Sequence, residues 1–305
     1  MQIGFIGLGR MGSGMALNLR KAGYDVLIHD ARPESATPHL EAGSKWADSI
    51  EELAAKSDVV FTSLPGPKEM KVVAETLLAN MSPGNVWFDL TTNSPTVVRE
   101  VCQRFAEKDI PFLDAPVSGG PSGAASGKLA IYVGGERSVF DQHQKLLDAI
   151  GDEVMYVGTI GAGNSAKLVH NSASFALRLM LAEVFTLGVK AGVEPAALWH
   201  AMRQGGQGRS RSFDRLADKY LVDNYEPASF TVRLAHKDLG LSLELAEQLG
   251  VPMQFTQATY DEFEAAIQRG WADRDSRTPM VLQNERAGVI IKMTPEEVRE
   301  TLARG

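Results

Sequence analysis

Four groups of residues have the types and spacing to do chemistry. Gly7-Leu8-Gly9-Arg10-Met11-Gly12 has G-x-G-x-x-G spacing. Such a turn reverses tightly, brings bare backbone to a pyrophosphate, and enters a helix whose free N–H groups face the phosphates. Asp30 follows Gly12 by 18 residues, where a carboxylate accepts hydrogen bonds from ribose hydroxyls. That acid favours NAD and repels the 2′-phosphate of NADP. Arg32, two positions on, either pairs with that phosphate or stands solvated, so NADP is the alternative. Ser118-Gly119-Gly120 offers open N–H groups and a hydroxyl, the makings of a concave anion site. Lys167 and Asn171 stand at i and i+4 and share one face of a helix. A lysine that can shed its charge can give and take a proton, but its usual pKa of about 10.4 must first fall. Desolvation lowers it, and so does a neighbouring cation such as Lys237. Taken alone, a lysine beside a helical asparagine is an ordinary surface pair.

These residues need a scaffold, and the apolar pattern supplies one. Short apolar runs at Ile3–Ile6, Asp25–His29, Val59–Leu64, Val86–Asp89, Pro111–Leu113, Ile131–Val133 and Val154–Val157 alternate with helical stretches such as 14–22, 67–78 and 94–108. Several runs are continuous, as in strands covered on both faces. The rhythm predicts an α/β, Rossmann-type, doubly wound and mostly parallel sheet, with mixed directions among the later strands. It stops near Gly158. One long helix is expected over about 164–191, roughly 40 Å of it at 1.5 Å per residue. An all-α domain follows, with helices near 195–202, 213–220, 231–249, 253–268 and 278–290. The last helix has Thr294 as N-cap, Pro295 at its first position and Glu297 three residues after the cap. The expected division is 1–163 for dinucleotide binding and 164–305 for substrate and dimerisation.

Composition sets outer bounds. The 305 residues are 44% hydrophobic and 23% charged, which excludes disorder as the main state. A net charge of −7 argues against a general nucleic-acid or anionic-membrane surface. No run of 18 apolar residues predicts a membrane span. Cys102 alone excludes an internal disulfide framework and fits a reducing, cytoplasmic setting, and the six histidines have no metal spacing, so no metal is expected.

The chain resembles the β-hydroxyacid dehydrogenase family, which includes 3-hydroxyisobutyrate dehydrogenase and tartronate semialdehyde reductase. The resemblance rests on residues 4–12, on Asp114-Ala115-Pro116-Val117-Ser118-Gly119-Gly120, on Gly161-Ala162-Gly163-Asn164-Ser165-Ala166-Lys167-Leu168-Val169-His170-Asn171 and on Lys237-Asp238-Leu239. It implies a Rossmann domain completed by a helical domain, often in dimers or tetramers. It implies that the Ser118 turn binds a substrate carboxylate, that Lys167 is the general acid/base and that Asn171 orients the substrate or the lysine. It places Lys237 and Thr92 near the nicotinamide and Leu64-Pro65 beside the adenosine half. The implied activity is hydride transfer between NAD(P) and a small β-hydroxy acid or semialdehyde. Departures stand beside it. Arg203, Arg209 and Arg211 fall in a glycine-rich stretch expected to face the substrate, either to meet a second acidic group or to stay solvated. Arg178 lies in the long helix, to bind an anion or to pair with an acid such as Glu183. His170 stands where asparagine is expected and is read as packing. Two other readings remain: an imine reductase, against which Lys167 counts, and a catalytically silent dinucleotide-binding module.

Overall fold

In the computed structural model, the described residues are 1–193, 201–202, 204–205, 217, 219–228, 231–233, 235–236, 239–240, 243, 247, 250–288 and 292–303. The chain divides into two compact units, 1–173 and 174–305. The first unit carries nine strands: β1 (Gln2–Ile6), β2 (Asp25–His29), β3 (Lys45–Trp46), β4 (Val59–Thr62), β5 (Val86–Asp89), β6 (Phe112–Asp114), β7 (Val117–Ser118), β8 (Leu129–Gly134) and β9 (Gly151–Gly158). Its helices are α1 (Gly12–Lys21), α2 (Thr37–Glu41), α3 (Ile50–Lys56), α4 (Pro67–Asn80), α5 (Pro95–Ala106), α6 (Gly120–Ser126) and α7 (Arg137–Asp148).

The sheet order is β3-β2-β1-β4-β5-β6-β8-β7, with β9 on the far side of β8. The strands from β3 to β6 run parallel, and β8 runs against β6 and β7. The doubly wound sheet with mixed later strands is therefore present. Side chains alternate between the two faces. Phe5, Phe61 and Phe88 stack across three strands on one face, with ring centroids 6.2 and 5.3 Å apart. Trp87, Phe105 and Phe112 cluster on the other, where α4 and α5 supply Met70, Leu77 and Val98. Each such side chain contributes roughly 2–3 kcal/mol by leaving water.

This packing fixes the edge that matters. Parallel register sets His29, Ile6, Thr62, Asp89 and Asp114 in one row. Loops leaving that row lie outside the carboxyl ends of the strands, where open α/β sheets bind ligands.

The long helix α8 runs Ala162–Lys190, 29 residues or roughly 44 Å, beginning two residues earlier than the sequence suggests. The division between the two units at 173/174 falls inside it. The second unit has helices at Gln254–Gln268, Met280–Ala287 and Pro295–Ala303, close to three of the expected ones. Val232, Ala266 and Leu282 form its small described core. The capping box is complete: Glu297 N donates to Thr294 Oγ1 at 3.2 Å, and Thr294 N donates to Glu297 Oε2 at 2.7 Å. The strand-free expectation needs one adjustment, an isolated antiparallel bridge between Thr231 and Asp275. Most of the helices expected near 195–202 and 213–220, and much of 231–249, lie outside the described residues. Among the described residues, no helix is long and apolar enough to cross a membrane.

Candidate active site

The glycine turn divides its labour among three positions. Gly7 has φ +95°, and a Cβ there would sit 2.3 Å from the Ser63 carbonyl oxygen. A Cβ on Gly12 would sit 1.9 Å from the Gly7 carbonyl oxygen. Both are required by the protein's own backbone. Gly9 differs, because a Cβ there would meet nothing within 4 Å. Its bareness serves no internal contact and fits the approach of a dinucleotide phosphate. Leu8, Gly9, Arg10, Ser13 and Arg32 line a cleft of about 480 Å³.

Asp30 does more than face a ribose. It is 9% exposed. Its Oδ2 accepts the Leu8 N–H at 2.6 Å and its Oδ1 accepts the Arg32 N–H at 2.8 Å. The Arg32 Nε lies 3.6 Å from Oδ1. The carboxylate thus ties the end of β2 to the glycine turn, keeping lone pairs for further donors. Below the turn, Ser13 Oγ meets Nε2 of the fully buried His39 at 3.0 Å, a pair that sequence reasoning missed. The only hint was a serine in the first turn after Gly12.

The loops beyond β4 and β5 are joined by a buried polar network. Asp89 Oδ1 accepts from Thr62 Oγ1 at 2.8 Å and from the Thr91 N–H at 3.2 Å. Thr91 Oγ1 accepts the Leu64 N–H at 3.0 Å. The loop with Leu64 and Pro65 is thereby bound to the loop with Thr92. Burial pushes the Asp89 carboxyl up to about 6, against the pull of these hydrogen bonds.

A second buried carboxylate anchors α8. Asp114 Oδ1 accepts the Gly161 N–H at 2.7 Å, and its Oδ2 accepts the Asn164 N–H at 2.7 Å. Asn164 Oδ1 accepts the Asn93 N–H at 2.6 Å. One turn later stands Lys167. It is 8% exposed, and burial lowers its pKa from the ordinary lysine value. Desolvation, one of the two causes weighed from sequence, is therefore present. Asn171 lies one turn further, half-buried.

Ser118 closes β7, and Gly119 and Gly120 follow with φ of +134° and +64°, backbone that a side chain resists. The turn is more ordered than a bare glycine loop, since Gly120 opens α6. Ser118 Oγ lies 3.0 Å from Nε2 of His170. His170 is therefore not merely a packing residue; it binds a residue of the expected anion turn.

The structure thus sets Gly7 through Gly12, Asp30, Arg32, Leu64, Pro65, Thr92, Ser118, Gly119, Gly120, Lys167 and Asn171 in one unit, along or beside one sheet edge. Lys237, Arg203, Arg209 and Arg211 lie outside the described residues, as does the side chain of Arg178.

Known proteins resemble this chain over nearly its whole length. Residues 2–158 match the NAD binding domain of 6-phosphogluconate dehydrogenase, and residues 161–282 match the NAD-binding region of NADP-dependent 3-hydroxyisobutyrate dehydrogenase. The 2-(hydroxymethyl)glutarate dehydrogenase of Eubacterium barkeri is 33% identical over 294 residues, covering 95% of this chain and 97% of that protein. The Mycobacterium tuberculosis 3-hydroxyisobutyrate dehydrogenase, solved with L-serine, is 30% identical with a TM-score of 0.65, covering 92% and 98%. An imine reductase from a Pseudomonas species superposes with a TM-score of 0.80 at 20% identity, covering 92% and 98%, a likeness of fold alone. With a glycine turn open at Gly9, a carboxylate at Asp30 and a buried lysine on the helix leaving the sheet, the chain belongs to the β-hydroxyacid dehydrogenase family.

Proposed function

We propose that this protein is an NAD(P)-dependent oxidoreductase of small β-hydroxy acids or their semialdehydes, with Lys167 as general acid/base. The observation that carries the reading is the burial of Lys167 one turn beyond the Asp114–Asn164 anchor. The 1–163 region holds the dinucleotide: Gly7 through Gly12 and the N-terminus of α1 meet the pyrophosphate, Asp30 and Arg32 face the adenine ribose, Leu64 and Pro65 flank the adenosine, and Thr92 stands by the nicotinamide ribose. The bound dinucleotide supplies a hydride acceptor or donor. Every other step belongs to the chain. The Ser118-Gly119-Gly120 turn holds the carboxylate of the substrate. Neutral Lys167 takes the proton from the hydroxyl as its carbon is oxidised, and the ammonium returns it in the reverse direction. Burial suits this cycle because it favours the neutral amine at the start of oxidation. Asn171 orients the substrate or the lysine, and Lys237 of the 164–305 region joins the nicotinamide and substrate.

Asp30 supports NAD as the preferred dinucleotide, with NADP accepted through Arg32. Leu168 and Val169 on α8, 40% and 71% exposed, support a homodimer or homotetramer that covers them. A single cysteine supports a reducing cytoplasm. The deciding experiment is a turnover screen with NAD and NADP over 3-hydroxyisobutyrate, L-serine, 2-(hydroxymethyl)glutarate and the matching semialdehydes. Tight dinucleotide binding with no turnover on this panel overturns the reading.

A further inference from the structure

His170 has no part in the scheme above, yet its ring reaches the residue assigned to the substrate carboxylate. Three elements meet there: β7 brings Ser118, β8 brings Tyr132 and α8 brings His170. Nε2 of His170 lies 3.0 Å from Ser118 Oγ. The His170 and Tyr132 rings stand 6.1 Å apart at 38°. Burial raises the Tyr132 phenol pKa, so the ring stands beside them as the neutral phenol.

A serine hydroxyl has one proton and two lone pairs. Were His170 to accept that proton, Ser118 would turn lone pairs toward an incoming anion and repel it. With His170 donating, one lone pair is filled and the single proton is left to point into the turn. Resting on the reading of Ser118-Gly119-Gly120 as the carboxylate site, we propose that His170 is a positioning residue for the substrate carboxylate: its Nε2–H donates to Ser118 Oγ and so commits the Ser118 proton to the anion. Burial, and then Lys167 three residues earlier on the same helix, push the His170 pKa down, which favours a neutral ring, with its one proton placed on Nε2 to meet Ser118. The device costs the enzyme no second positive charge beside the lysine that must become neutral.

The test is a double-mutant cycle read as KM against kcat, with 3-hydroxyisobutyrate and L-serine as substrates and saturating NAD. His170→Ala is expected to raise KM for the hydroxy acid about tenfold, the scale of one hydrogen bond serving a charged group. Its kcat stays within about threefold, and KM for NAD is unmoved. His170→Gln, whose amide nitrogen can reach Oγ, recovers most of the loss, while the shorter His170→Asn does not; that pair carries the test if the alanine variant does not fold. In a Ser118→Ala background, His170→Ala adds nothing. Additive penalties in the cycle, or a fall in kcat with KM unchanged, overturn this proposal alone. Absence of turnover by the wild-type protein on both substrates with either dinucleotide overturns the oxidoreductase reading, and this one with it.

Discussion

The two halves of the candidate site are built on different principles. On the glycine-turn side, function is held by backbone over a short stretch: Gly7 and Gly12 are demanded by their own neighbours, and Asp30 clamps the turn through main-chain N–H groups. On the lysine side, function is held by side chains brought from far apart. Asp114 reaches Asn164, Asn93 reaches Asn164, and Ser118 reaches His170. The first half therefore tolerates little change of shape, and the second depends on a few long-range polar ties. Damage to the first half should appear in folding and dinucleotide affinity, and damage to the second in turnover and substrate affinity.

The largest effect is expected at Lys167. Lys167→Ala should cut turnover by roughly 10²–10⁴-fold while dinucleotide affinity, followed by fluorescence titration, stays intact. Its signature in the intact enzyme is a rate of oxidation that rises with pH as the ammonium loses its proton, at a pH below the ordinary lysine range because burial lowers that pKa. Equal loss of dinucleotide affinity would erase the division between the halves.

Next comes a contrast within the glycine turn. Gly12→Ala drives a Cβ against the Gly7 carbonyl. It should lower the melting temperature by several degrees, at roughly 2–4 °C per kcal/mol for a chain this size, and weaken the dinucleotide. Gly9→Ala meets open space, so it should leave melting unchanged and weaken the dinucleotide alone. Calorimetry with and without NAD separates them.

Asp89 offers a smaller effect with a definite sign. Its folded pKa of about 6 lies above the ordinary carboxyl value. Between pH about 4 and 6 the unfolded chain has released this proton while the folded chain retains it, so this group costs stability as pH rises through that window. The cost approaches roughly 3 kcal/mol at neutral pH, at 1.36 kcal/mol per unit. Asp89→Asn should remove that component, visible as a difference between the two proteins' melting temperatures that changes over pH 4–6 and is flat above it. A constant difference throughout would mean that Asp89 is ionised at no such cost. The least effect belongs to Arg32→Ala. Arg32 is 64% exposed in its pairing with Asp30, so stability should move by under about 1 kcal/mol. KM for NADP should rise a few-fold relative to KM for NAD.

The same contrast explains what the sequence made legible. The glycine turn, the strand rhythm, the long helix and the Thr294–Glu297 cap are each legible in continuous stretches of chain, with no distant partner needed. Strands β3 and β7 escaped notice because each is two residues long and exists only by pairing. The types and spacing of Lys167 and Ser118 allowed the chemistry, but only the resemblance gave each its role, since an ordinary surface pair or glycine turn reads the same way. The Asp114, Asn164 and Asn93 ties were invisible because polar residues in sequence look alike whether solvated or buried; only the closure of the sheet edge decides. The hydrogen bond of His170 escaped the sequence for that reason, its partner standing 52 positions earlier.

Asp114 and Asn93 grip the 29-residue rod of α8 by its foot. For the proton transfer proposed for Lys167, that grip sets the start of the helix one turn before the amine, so substitutions that spare the grip leave the amine's placement to the same anchor.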